Sequence, residues 1–166
     1  SKFLSLSLFF SHMLYCSGEF FLSYLAVGIH EAAHAFACIN LKLPPKGLII
    51  NAFGMRLTIP DLKYFKEKII VYSIGPAVSF VTSFISFAIL YLFLPNCYFL
   101  YFFALANLSA AIINLVPITP LDGASILKAF FERYFGIVKG GKILKRISSF
   151  FIIIYYTTEN FTINSV

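Results

Sequence analysis

Residues 69–94 form an unbroken run of 26 residues without a charged side chain. At about 1.5 Å of rise per residue, a helix of that length exceeds the roughly 30 Å hydrocarbon core of a bilayer. It must tilt, or bend near Gly75-Pro76, where proline removes a backbone donor. Two further runs are long enough to cross: residues 20–39, interrupted only by His30, Glu31 and His34, and residues 97–118. Residues 3–15 and 147–158 are apolar but short. The first reads as a clipped span, the second as a partial span or an interfacial helix. The composition agrees, with 60% hydrophobic and 12% charged residues in 166, against about half and about a quarter in soluble domains. A soluble domain of this size leaves too much surface exposed to hide that apolar content, and disorder requires low hydrophobicity. The expected fold is a polytopic α-helical membrane protein of about four to five transmembrane helices, one membrane-embedded domain over residues 1–166.

Charge then maps the topology. Of 13 basic residues, 12 lie in residues 41–68 and 119–146, and the other is Lys2. The short connections at 95–96 and 16–19 carry none. Both basic loops and the N-terminus in the cytoplasm satisfy the positive-inside rule, provided that 16–19 is a turn between two spans. The net charge of +6 therefore reads as topology, with no nucleic acid among the expected partners. Cys16, Cys38 and Cys97 are odd in number and widely spaced, which argues against a disulfide framework. Within the first basic loop, Leu48, Ile50, Met55, Leu57 and Ile59 alternate around a turn at residues 52–54, bracketed by Pro44-Pro45 and Pro60. This predicts a small β-hairpin near the membrane surface. Its edge could hold an extended substrate as an added strand, or it is a surface hairpin and nothing more.

The chemistry begins with His30-Glu31-Ala32-Ala33-His34. Histidines four apart stack on one helix face and can grip a single metal ion, with the intervening glutamate placed as general base. Each ionisable residue in mid-span costs roughly 2.5–3.5 kcal/mol, and a zinc ion would compensate three of them together. Satisfaction by interhelical hydrogen bonds is the bland alternative. Catalytic zinc takes three protein ligands and leaves a position for water. Among the seven acidic residues, Asp122 stands out as the third ligand. Pro117 and Pro120 unwind the chain before it and Gly123 frees the backbone after it. By itself, an aspartate before glycine reads as a helix cap. Cys38, four past His34, is a weaker candidate ligand that reads better as packing. His12 reads as an interfacial or hydrogen-bonded histidine. The Phe and Tyr residues read as lipid-facing and interfacial.

The HExxH on an apolar span, followed some 90 residues later by Asn114-xx-Pro117-xx-Pro120-Leu121-Asp122-Gly123, resembles the site-2 protease family of intramembrane zinc metalloproteases. In layout it is closest to the branch that includes stage IV sporulation protein FB. The resemblance covers residues 20–127. It implies that His30, His34 and Asp122 coordinate Zn2+, that Glu31 activates water, and that Asn114 stabilises the oxyanion or orients substrate. An amide donor suits that role, although an interhelical hydrogen bond would also account for Asn114. Two positions depart from the family pattern. Ala124 replaces a glycine, and Ser79 stands where an asparagine often follows the Gly-Pro pair. Neither removes a ligand or the base.

The expected activity is zinc-dependent hydrolysis of a peptide bond within or near the membrane segment of a substrate, with water and substrate entering from the cytoplasm. By resemblance, the substrate would be a membrane-spanning or membrane-associated protein, such as a pro-transcription factor in sporulation. Regulatory membrane proteins are plausible partners. The expected location is the bacterial cytoplasmic membrane. The alternative is a non-catalytic zinc-binding membrane scaffold or a metal transporter. A transporter should carry several intramembrane ligand sets, and only one is visible.

Overall fold

The computed structural model describes the backbone of residues 2–51 and 54–163, and side chains over residues 18–49, 55–151 and 153. The chain order is α1 (Lys2–Asn40), β1 (Gly47–Asn51), β2 (Gly54–Thr58), α2 (Phe65–Leu92), α3 (Tyr98–Asn114), α4 (Asp122–Phe135) and α5 (Ile137–Ile163).

The turn expected at residues 16–19 does not form. Residues 3–15 and 20–39 belong to one continuous helix, α1. Cys16-Ser17-Gly18-Glu19 contains no proline, and a single glycine costs a helix only about 1 kcal/mol. Glu19 instead accepts a hydrogen bond from the Tyr98 hydroxyl at the start of α3. A single helix puts Lys2 at the opposite end of α1 from the basic loop that follows Asn40. If α1 crosses the membrane once, the N-terminus and that loop cannot share a face as the charge map proposed. His12 lies outside the residues whose side chains are described.

The C-terminus of α1 closes in a defined way. The N–H groups of Lys42 and Leu43 bond to the carbonyls of Ile39 and Cys38, and Lys42 takes a left-handed φ of 59°. This is a Schellman closure, and Pro44-Pro45 prevents the helix from resuming. The expected hairpin follows. β1 and β2 pair antiparallel from Gly47↔Thr58 to Asn51↔Gly54, and β2 lies against α1. Most of its expected turn, residues 52 and 53, lies outside the described residues. At the base of the hairpin, Lys46 Nζ donates to Asp61 Oδ2 at 2.9 Å. That ammonium holds the exposed Asp61 carboxyl below the usual carboxylate range.

Among the described residues, two helices are long and apolar enough to cross a membrane, the 18–40 part of α1 and the whole of α2. The third expected span ends earlier than the apolar run suggested. α3 has 17 residues, about 26 Å of helix. The interior is built from small side chains: Ala26, Ala33 and Ala37 on α1, Gly75, Ser79, Ser83 and Ser86 on α2, and Ala104 and Ala111 on α3. Large side chains such as Phe20, Phe84 and Tyr91 point outward. Close helix approach through small residues is how bundles pack where lipid removes the hydrophobic drive. α2 and α3 run antiparallel, joined by residues 93–97. Ser83 Oγ donates to the Ala104 carbonyl at 2.8 Å, and the Phe87 and Tyr101 rings meet edge-on at 6.1 Å.

α4 is fixed to the first turn of α2. Lys68 Nζ lies 2.6 Å from Glu132 Oε2, Phe65 meets Phe130 at 5.1 Å, and the Arg133 guanidinium lies 4.8 Å above the Phe65 ring. α5 holds the segment between α3 and α4, where buried Ser148 donates to the Pro117 carbonyl at 3.1 Å. Residues 147–158, read as a separate segment, fall inside this one 27-residue helix. At the start of α4, a Cβ on Gly123 would lie 2.1 Å from the Leu115 carbonyl oxygen. Because that neighbour is backbone, Gly123→Ala should destabilise the protein by about 1–3 kcal/mol, read as a lowered thermal unfolding midpoint in detergent.

Candidate metal centre

The two histidines sit on the buried face of α1, four residues apart, with ring centroids 4.9 Å apart. Asp122 is the first residue of α4, directly after the extended backbone of Leu121. Its carboxylate does not cap its own helix. Oδ2 lies 3.0 Å from His30 Nε2 and 3.1 Å from His34 Nε2, and the two Nε2 atoms are 3.2 Å apart. Among the described residues, these three form the only group of histidine, cysteine and acidic side chains placed to hold a metal ion. Cys38 is not part of it. It is fully buried in an apolar cluster with Ala37, Leu62 and Val71.

The donor set fits a tetrahedral ion. Ligands at about 2.0–2.1 Å from such an ion lie about 3.3 Å from one another, close to the observed separations. The partners of the outer nitrogens leave the inner ones facing one another and Asp122. His34 Nδ1 bonds to the Val71 carbonyl at 2.6 Å. A carbonyl only accepts, so Nδ1 carries the hydrogen, and in its neutral form His34 would turn an Nε2 lone pair inward. His30 Nδ1 lies 3.0 Å from Ser79 Oγ, with both side chains buried. Acceptor atoms facing one another in a dry interior are costly unless a cation or shared protons lie between them.

α2 supplies this outer layer from positions 71, 75 and 79, one helix turn apart. Gly75 lies between the other two. A Cβ there would come within 2.2 Å of His34 Nε2 and 2.8 Å of His30 Nε2, so the imidazoles rest directly on the α2 backbone. Sequence reasoning missed this layer. Gly75-Pro76 was read as a bend and Ser79 as a departure from a pattern. The available signal was the spacing of small residues in an otherwise uncharged span.

A cavity of about 440 Å³ opens beside these three side chains, lined by Glu31, His34, Leu57, Tyr72, Asn114 and Asp122 among others. All five expected site residues are therefore gathered at or around it. Glu31 Oε2 accepts a hydrogen bond from the Leu57 backbone N–H of β2 at 2.8 Å. Asn114 ends α3 and donates one amide hydrogen to the Ala110 carbonyl at 2.9 Å, and the same amide carries a second donor. The hairpin forms one wall of the cavity, and α1, α2, the end of α3, α4 and the segment between α3 and α4 form the others.

The chain is similar to several known proteins. The sequence pattern of Peptidase family M50 matches residues 96–155, which contain Asn114 and Asp122. The zinc metalloprotease MJ0392 of Methanocaldococcus jannaschii is 26% identical over 131 residues, covering 77% of this chain and 38% of that protein. Protease RseP of Photorhabdus luminescens is 40% identical over 53 residues, covering 32% of this chain and 22% of that protein. The chain thus spans well under half the length of the curated relatives it matches. A solved site-2 protease structure from Methanocaldococcus jannaschii superposes with a TM-score of 0.76 at 23% identity, over 98% of this chain and 77% of that one. In sequence pattern and relatives the chain is similar to Peptidase family M50, and in fold it is similar to a site-2 protease.

Proposed function

We propose that the protein is an intramembrane zinc metalloprotease. The observation that carries this reading is the convergence of His30, His34 and Asp122 within 3.2 Å of one another, on a cavity that Glu31 and Asn114 also line. Zinc held by these three would supply a Lewis acid and lower the pKa of water to about 7. The chain's own groups account for the rest of the reaction. Glu31 takes a proton from the attacking water and returns it to the leaving amine. The second amide hydrogen of Asn114 faces the charge that develops on the carbonyl oxygen. The low-dielectric surroundings strengthen both interactions. A glutamate beside the ligands and an open cavity favour a hydrolase over a scaffold or a transporter, neither of which needs a base.

β2 gives the reading a substrate path. A transmembrane helix must unwind before its peptide bonds are accessible, and an extended segment can pair with a strand edge. Leu57, on that strand, already offers its N–H to Glu31. The substrate class is a membrane-spanning or membrane-associated protein. A pro-transcription factor in sporulation, and control by regulatory membrane proteins, rest on resemblance of layout alone. A multi-pass location in the bacterial cytoplasmic membrane, with the basic loops in the cytoplasm, follows from the charge map.

Glu31→Gln should lower cleavage of a co-expressed single-span substrate by about 10²–10⁴-fold while zinc content stays at the wild-type level. Cleavage at the wild-type rate would sink the proposal. Gly75→Ala should reduce zinc affinity by roughly 10–100-fold, since its methyl group displaces the ligand imidazoles. Competition with a chromophoric chelator reads that change directly.

A further inference from the structure

Asn107, on α3, is fully buried, and its side-chain oxygen is the one buried side-chain polar atom, among the described residues, without a hydrogen-bond partner. Its amide nitrogen donates to the Phe103 carbonyl at 2.9 Å. An orphaned acceptor in a membrane bundle is expensive, so its position relative to polar neighbours matters. The α2–α3 register gives that position. Phe87 meets Tyr101, and one turn on Ser83 meets Ala104. A further turn in the same antiparallel register brings α2 to Ser79 and α3 to Asn107. Both side chains are 0% exposed.

Ser79 has a donor to place. With His30 ligating through Nε2, its Nδ1 keeps the hydrogen and donates to Ser79 Oγ, 3.0 Å away. The serine hydroxyl has one hydrogen of its own, which is then free to go elsewhere. We propose that Asn107 Oδ1 takes that hydrogen when the metal site is loaded, so that His30, Ser79 and Asn107 act as one relay that orients His30 toward zinc. Asn107 and Ser79 are then positioning residues that act through His30. This rests on the zinc reading above and extends it two residues behind the ligand. Groups behind a metal ligand commonly contribute about 10–100-fold to metal affinity.

The test separates a relay from mere packing, because the two predict opposite results. If Asn107 is only an unsatisfied polar group, an apolar replacement should leave zinc binding unchanged and stabilise the fold or leave it neutral. Asn107→Leu, and the smaller Asn107→Ala in case leucine overfills the site, are made in the full chain alongside Ser79→Ala. Zinc affinity is measured by chelator competition in detergent, and thermal unfolding is followed on the metal-free protein. The relay predicts about tenfold weaker zinc binding for each single variant, without a lowered metal-free unfolding midpoint for the Asn107 variant that fits. It also predicts that Ser79→Ala combined with Asn107→Leu is no worse than Ser79→Ala alone. Wild-type zinc affinity in the Asn107 variants overturns the relay, as it would if the Ser79 hydroxyl turned back onto its own helix. Losses that multiply in the double variant overturn it as well. A wild-type protein that binds no zinc overturns the metalloprotease reading itself.

Discussion

Two imidazole nitrogens and a carboxylate oxygen held within 3.2 Å of one another are tolerated in a dry interior only with a cation or shared protons between them. Much of the fold serves to hold them there. α1 supplies two of the atoms from a single helix face. α4 supplies the third from its first residue, and is fixed to α2 by the Lys68–Glu132 pair and the Phe65 contacts. α5 pins the preceding segment through Ser148. α2 backs the imidazoles with a carbonyl, a hydroxyl and a bare glycine. A cation would turn this arrangement from a strained one into a favourable one, so metal binding and helix packing are parts of one equilibrium.

The sequence pointed to the three grouped side chains and the hairpin but not to the scaffold that aims them. HExxH is legible because a four-residue spacing fixes the relative direction of two side chains on any helix. Asp122 is legible because prolines and a glycine surround it at the end of an apolar run. The hairpin is legible from alternation between proline brackets. The continuity of α1 was hidden, since residues 16–19 are polar, small and free of basic side chains and so pass for a connection, and tertiary contacts such as Tyr98 on Glu19 accompany the helix that forms instead. The roles of Val71 and Ser79 were hidden for a different reason. A backbone carbonyl has no sequence identity, and a serine in a span reads as packing until its partner is known.

The bundle inverts the usual distribution of size. Small residues face inward and large aromatic ones face outward. In water this pattern would promote aggregation, but in lipid it allows backbones to approach closely. That closeness is what the site requires. Imidazoles resting on the α2 backbone need a position without a side chain, and a bundle packed on leucine and phenylalanine would hold the helices too far apart to provide it.

Glu31 is held by an amide of the main chain at Leu57. Such a contact does not depend on which side chain occupies the strand, and among the coded residues only proline, which lacks the N–H, would abolish it. The cavity wall built by β2 can therefore vary in shape and polarity while the glutamate keeps its anchor. The side chains that shape the cavity wall and the N–H that holds Glu31 belong to the same strand, yet selection can act on the first without disturbing the second.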